Sequence, residues 1–174
     1  EPTSPEYLAW TATVADYQGT GACCLYNAPW LIMYYIAADN NLDREGEVEK
    51  VLNFLLSHEG GPEYDVAVMF DGSENDDSRS YYIADDTIPG MENEVNSGDP
   101  DTLVEFADWA LGLSLPEHTA LVIYGHGSLA GIAQDDTSAH DYIELTELGS
   151  ALGEIAWAHG KIDIVFMEAC VMGT

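Results

Sequence analysis

Thr119-Ala-Leu-Val-Ile-Tyr124 is a short run of apolar and β-favouring residues that ends in Gly125-His126-Gly127-Ser128. A run of this length between turn residues reads as a strand buried on both faces. Working outward, comparable runs lie at Trp30 to Ala38, at Asp65 to Phe70 and at Ile162 to Met167, the last ending in Glu168-Ala169-Cys170. Helical patterns separate them. Asp39-Asn40-Asn41 supplies a turn and a cap, Val48, Val51, Leu52, Leu55 and Leu56 recur at helical spacing, and Gly60-Gly61-Pro62 stops that helix. Asp99-Pro100 starts a second helix with an apolar stripe at Leu103, Phe106, Ala107, Ala110 and Leu111. Thr146 is the expected cap of a third, with Leu148, Leu152, Ile155 and Ala156 inward and Gly160 as its stop. Ser80 to Ala84 adds a short strand after an acidic loop, Asp71 to Asp77. Residues 1–29 show no period and read as an irregular arm, with a short strand at 7–14 as the alternative. Strands alternating with helices predict an α/β layered fold with a mostly parallel sheet over residues 30–174.

The chain has 174 residues, with 32 Asp+Glu against 4 Lys+Arg and a formal charge of −28. A 47% hydrophobic content supplies a sizeable core despite that charge. The acidity excludes nucleic acid as a partner, because that role needs a basic face. No apolar run approaches the roughly 18 residues of a membrane span, and no polybasic membrane patch is present. A surface this negative repels itself unless salt screens it. Two habitats account for it, a high-salt environment or ordinary secretion as an acidic protein. Within these residues no apolar h-region stands before a cleavage site, so no signal peptide is expected among them, and Glu1-Pro2-Thr3-Ser4-Pro5 is compatible with a processed N-terminus. Of the three cysteines, Cys23 and Cys24 are neighbours with poor geometry for bridging each other, and an odd count leaves a thiol free.

In open parallel sheets, function collects beyond the carboxyl ends of the strands. His126 and Cys170 both stand there, one helical crossover apart, so their strands are expected to be neighbours. A thiol becomes a nucleophile as a thiolate or beside a base, and imidazole titrates near neutrality. The N–H groups of Gly127 and Cys170 are candidates for an oxyanion hole. Taken singly, a cysteine after an apolar strand is usually a small buried residue, and a histidine between glycines is usually part of a turn. Joint placement at adjacent strand ends is what raises both above that background.

Four segments then carry a resemblance: Trp30-Leu-Ile-Met-Tyr-Tyr-Ile-Ala-Ala-Asp-Asn-Asn-Leu42, Asn96-Ser-Gly-Asp-Pro-Asp-Thr-Leu103, Tyr124-Gly-His-Gly127, and Phe166-Met-Glu-Ala-Cys-Val-Met-Gly-Thr174. In this order and spacing they resemble the clostripain-like cysteine peptidases, of the clan that includes caspases, gingipains, legumain and separase. The resemblance implies a caspase-like three-layer sandwich and a Cys–His dyad falling on His126 and Cys170. It implies an endopeptidase acting on peptide or protein substrates, with no organic cofactor and an extracellular location. Family members usually carry Asp two residues before the nucleophile, in the S1 pocket that favours Arg or Lys. Here that position is Glu168, so the charge is kept and the reach is one methylene longer. Legumain-like relatives carry Glu-Ala-Cys with a different specificity.

Further departures stand beside the match. No Lys or Arg lies between His126 and Gly160, so self-cleavage after a basic residue in that interval is not expected. The sequence stops four residues after Cys170. The resemblance therefore implies an incomplete sheet, the N-terminal portion of a peptidase domain, completed by a further polypeptide segment. The runner-up reading is a catalytically idle family member serving a structural, adhesive or assembly role. Asp135 and Asp136 are candidate calcium ligands, with a solvated acidic pair as the alternative. The loop Asp71 to Asp77 offers oxygens too but lacks the EF-hand pattern. Asp39 and Asn40 are expected to cap the first helix, and His58, His118, His140 and His159 to be ordinary.

Overall fold

The computed structural model describes residues 28–57, 61–84, 87–90 and 93–170. The arm expected over residues 1–29 lies almost wholly outside them, as do Cys23, Cys24 and His58. Among the described residues eight strands and four helices follow in order: β1 (Trp30–Ala37), α1 (Asn41–Arg44), α2 (Glu47–Leu56), β2 (Tyr64–Asp71), β3 (Arg79–Ile83), β4 (Thr87–Pro89), α3 (Pro100–Gly112), β5 (His118–Gly125), β6 (Gly131–Asp135), β7 (Asp141–Glu144), α4 (Leu145–His159) and β8 (Ile164–Glu168). Six strands form one sheet in the order β4-β3-β2-β1-β5-β8, and β6 and β7 pair separately. β1, β2, β5 and β8 run parallel, while β3 and β4 join antiparallel at one edge.

From β1 the chain moves one way to β2, and from β5 it moves the other way to β8. Right-handed crossovers in opposite directions place their helices on opposite faces. Accordingly α2 packs Val48, Leu52 and Leu55 against Ile36, Val66, Val68 and Phe70 on one face. On the other, α3 and α4 set Leu103, Phe106, Ala110, Leu148 and Ile155 against Leu31, Met33, Tyr35, Met69 and Leu121. The result is the three-layer sandwich that the family resemblance implies. Trp109 anchors the second layer, edge-on to Tyr82 at a centroid distance of 6.4 Å. Among the described residues no helix is long and apolar enough to cross a membrane.

Two local expectations change. Helix α4 begins two residues earlier than a cap at Thr146 requires: Glu144 is the N-cap, and its carboxylate and that of Glu147 satisfy each other's backbone N–H groups in a capping box. The last strand starts at Ile164 because Asp163 is taken by β5 instead, its carboxylate accepting from Thr119 N at 3.0 Å.

Asp71, the last residue of β2, is fully buried. Its Oδ1 accepts from Ser78 Oγ at 2.5 Å, while Oδ2 has no partner. Burial pushes its carboxyl up from 3.8 to about 7; the Ser78 and Ser97 hydroxyls oppose this, and the negative charges of Asp135 and Glu94 add to it. The folded state therefore holds a proton that the unfolded chain releases, so stability falls as pH rises between these two values. Asp71→Asn is expected to lose less stability than the parent between about pH 5 and about pH 8, and to melt higher at the upper value. Thermal unfolding at both pH values checks this, and parallel pH dependence in the two proteins contradicts it.

Candidate active site

The switch point of the sheet lies between β1 and β5, where strand order reverses and loops diverge to leave a crevice. Three segments reach it. The chain leaving β5 carries His126, half-buried, and the chain leaving β8 carries Cys170, an exposed free thiol. The parallel register pairs Tyr124 with Glu168, so two further residues along each strand lead to His126 and to Cys170 in step. The strands are neighbours, as expected. Glu168, the S1 candidate, is the exposed last residue of β8. Its negative charge is felt at Tyr34, whose phenol is pushed up first by burial and then by that carboxylate.

The third segment leaves β1, and its side chains divide the labour. Asp39 and Asn40 are buried and tie the loop down. Asn40 Oδ1 accepts from Leu42 N at 2.9 Å and so caps α1, while its Nδ2 donates to Gln134 O at 2.9 Å. Asp39 is no cap: its carboxylate accepts from the N–H and hydroxyl of Thr137, and its carbonyl from Asp136 N at 2.7 Å. Asn41 is then free to face the site. His126 Nε2 lies 2.7 Å from Asn41 Oδ1. Asn41 was expected to be only part of a turn, and its partner is 85 residues away, a separation that leaves no periodic trace.

The β6–β7 hairpin, which no strand period in the sequence marks, closes over this end. Gly127 bridges to Ile132, with Ala133 N donating to His126 O at 3.0 Å and Ser128 N to Gly131 O at 2.9 Å. These flanking bonds turn the N–H of Gly127 itself away from the hairpin. Ala133 holds a φ of 62° where the hairpin register slips. Bulged, strained residues of this kind re-aim neighbouring groups near functional sites.

The calcium candidates are engaged within the protein. Asp135 is buried and accepts from Ser97 N at 3.1 Å and Ser138 N at 2.7 Å. Burial pushes its carboxyl up, and the neighbouring Asp39 carboxyl adds to the rise against the Ser138 N–H. Asp136 is pushed up by burial, but hydrogen bonds from Gln134 and His140 and the charges of His140 and Arg44 outweigh this and hold it low. Among the described residues no three His, Cys, Asp or Glu side chains converge to hold a metal ion. In the loop after β2, Asp77 accepts from Gly72 N at 3.1 Å and Glu74 N at 3.2 Å. His159 meets Asp108 at 2.7 Å, His118 meets Asp163 at 3.4 Å, and His140 meets Asp136 at 3.2 Å.

A model of the clostripain family matches residues 34–174. Clostripain from Hathewaya histolytica is 24% identical over 182 residues, covering 82% of this chain and 34% of its own. A secreted C11 cysteine protease from Bacteroides thetaiotaomicron, solved with an irreversible peptide inhibitor, superposes with a TM-score of 0.69 at 18% identity, over 84% of this chain and 44% of that one. An inactive zymogen C11 protease from Parabacteroides distasonis gives a TM-score of 0.62 at 22% identity, over 84% and 43% respectively. The chain thus spans less than half the length of each of these relatives.

Gly125, the last residue of β5 and the one before His126, pairs with Ala37 of β1. A Cβ there would sit 2.8 Å from Ala37 O and 3.3 Å from Ala37 Cβ, both on the partner strand. Gly125→Ala is expected to destabilise the fold by about 1–3 kcal/mol. Gly153 on α4 has open space around it. Gly153→Ala is expected to stabilise by roughly 0.5–1 kcal/mol. Denaturant unfolding of both variants checks the pair, and equal effects at the two glycines contradict it.

Proposed function

Because the chain belongs to the clostripain family, we propose that it carries the nucleophile and proton carrier of a cysteine endopeptidase. The observation that carries this reading is the in-step delivery of His126 and Cys170 by paired strands. In the first half-reaction the Cys170 sulfur attacks the scissile carbonyl carbon while His126 takes the thiol proton. The C–N bond breaks, that proton passes to the leaving amine, and an S–C bond remains as a thioester. Water then adds to the thioester, the acid is released, and the sulfur recovers its proton. The N–H groups of Gly127 and Cys170 serve the oxyanion. The outward-turned Gly127 N–H supports that role. These steps use no organic cofactor and route nothing through a cation.

Glu168 is assigned to a basic P1 side chain, on its exposure and charge at the end of β8. The protein is assigned to the cell exterior, on the secreted relative. The polypeptide completing the domain is assigned to the open edge of the sheet. There Ile164, Val165 and Phe166 of β8 are 49%, 36% and 54% exposed. Residues of this kind are usually covered.

A thiol-directed probe with Arg at P1, applied to the intact protein, tests the reading. Labelling at Cys170 is expected to fall by about a hundredfold or more in His126→Ala. Glu168→Gln is expected to lower labelling by the Arg probe by about tenfold or more while sparing a neutral-P1 probe. A folded protein that takes no label overturns the peptidase in favour of a structural or assembly role. Equal effects of Glu168→Gln on both probes overturn the S1 assignment.

A further inference from the structure

Asn41 meets two side chains, one at each end of its amide. Oδ1 lies 2.7 Å from His126 Nε2, and Nδ2 donates to Glu45 Oε1 at 3.2 Å. Glu45 is a carboxylate and only accepts, so it fixes which end of the amide faces it. The oxygen is thereby turned to His126, and an amide oxygen also only accepts. The proton of a neutral imidazole must then sit on Nε2, which leaves Nδ1 as the lone-pair nitrogen.

From this geometry we infer that Asn41 is the positioning residue of the dyad: it holds His126 as the Nε2–H tautomer and presents Nδ1 to the thiol of Cys170. The inference rests on the peptidase reading above, and it adds a third side chain that the dyad does not require. The support behind Asn41 is itself built. Asn40 caps α1 and grips Gln134 O, and Asp39 is bonded to Thr137, so the backbone carrying Asn41 is fixed to the same hairpin that holds His126 O through Ala133 N. The titratable and charged groups on the segments that meet here are Asp43 and Arg44 of α1, Glu45 at its C-cap, Glu168 and Cys170 at the end of β8, and Asp136 and His140 in the chain after β6. Among the α1 groups, Arg44 is paired with Asp136, and Asp43 accepts from Ser73. Asn41 is therefore the α1 side chain that reaches His126.

The test compares the intact parent protein with Asn41→Ala, Asn41→Asp and His126→Ala. Asn41 is exposed in a four-residue helix, so loss of the amide should leave the fold intact, and a thermal melt confirms it. Asn41→Ala is expected to slow Cys170 labelling and lower kcat by about tenfold or more with KM little changed. Asn41→Asp keeps an acceptor and adds a charge that favours the imidazolium, so it recovers part of the rate and moves the alkaline limb of the pH profile upward. Independently of activity, 15N spectra of His126 are expected to show the Nε2–H tautomer in the parent and a mixture in Asn41→Ala. Parent-like labelling and tautomer in Asn41→Ala, with His126→Ala inert, overturn the inference and leave the dyad standing. A parent protein that takes no label overturns both.

Discussion

One register sets the site. β5 pairs with β1 on one side and with β8 on the other, and both ladders are parallel and unbroken over their length. A slip of one residue in a strand turns every side chain to the opposite face. A slip between β5 and β8 would put the imidazole out of step with the sulfur. The same slip would take Met167 and Ala169 off the core face on which they pack. The burial of ordinary aliphatic side chains therefore fixes the relative position of two reactive ones. The placement of His126 and Cys170 at the carboxyl ends depends on packing several residues below them.

The same end of the sheet gathers negative charge inside the protein. Asp39, Asp71 and Asp135 are all fully buried. Hydroxyls and backbone N–H groups from Ser78, Ser97, Thr137 and Ser138 meet these carboxylates in place of cations. Buried carboxyls so arranged shift toward the protonated form, as Asp71 and Asp135 do, because ionising several close together in a dry interior is unfavourable. Their structural product is the junction of the β1 loop with the β6–β7 hairpin. Stability at neutral pH is thus given up at the place where the loops that carry Asn41 and His126 are fastened.

Much of this architecture was legible in the residues. The four parallel strands announced themselves as apolar runs, because a strand covered on both faces needs little polar surface. The helices on them showed the 3.6 period, and the Gly-His-Gly and Ala-Cys segments stood where the α/β rule puts function. Hidden features were those with no periodic cause. β6 and β7 are short and are joined by Asp136-Thr137-Ser138-Ala139-His140, with Ala133 in β6 and Ala139 and His140 in the connection at positive φ, so they read as loop. Asp39, Asn40 and Asn41 look alike as turn formers, yet one is an anchor, one a cap and one a partner of His126. What separates them is the long-range hydrogen bond each makes, and the local sequence does not encode that partner visibly. Thr146 looked like the cap because threonine is a favoured one, but the reciprocal pair Glu144 and Glu147 won with two bonds.

Position 41 also bears on why an amide, rather than a third kind of charge, sits against the imidazole. Asp39, Asp43 and Glu45 surround it in the chain, and Glu168 lies beyond on β8. All four carry the same sign, and one more negative charge of that sign is unfavourable beside a sulfur nucleophile. A carboxylate at position 41 would orient the ring equally well, but it would stabilise the imidazolium and oppose a negative sulfur nearby. An amide oxygen supplies direction without net charge. In the proposed reading the orienting task and the electrostatic task are thereby kept apart: Asn41 is assigned to setting where the proton sits on the ring, and Glu168, the exposed anion at the end of β8, to meeting a positively charged side chain.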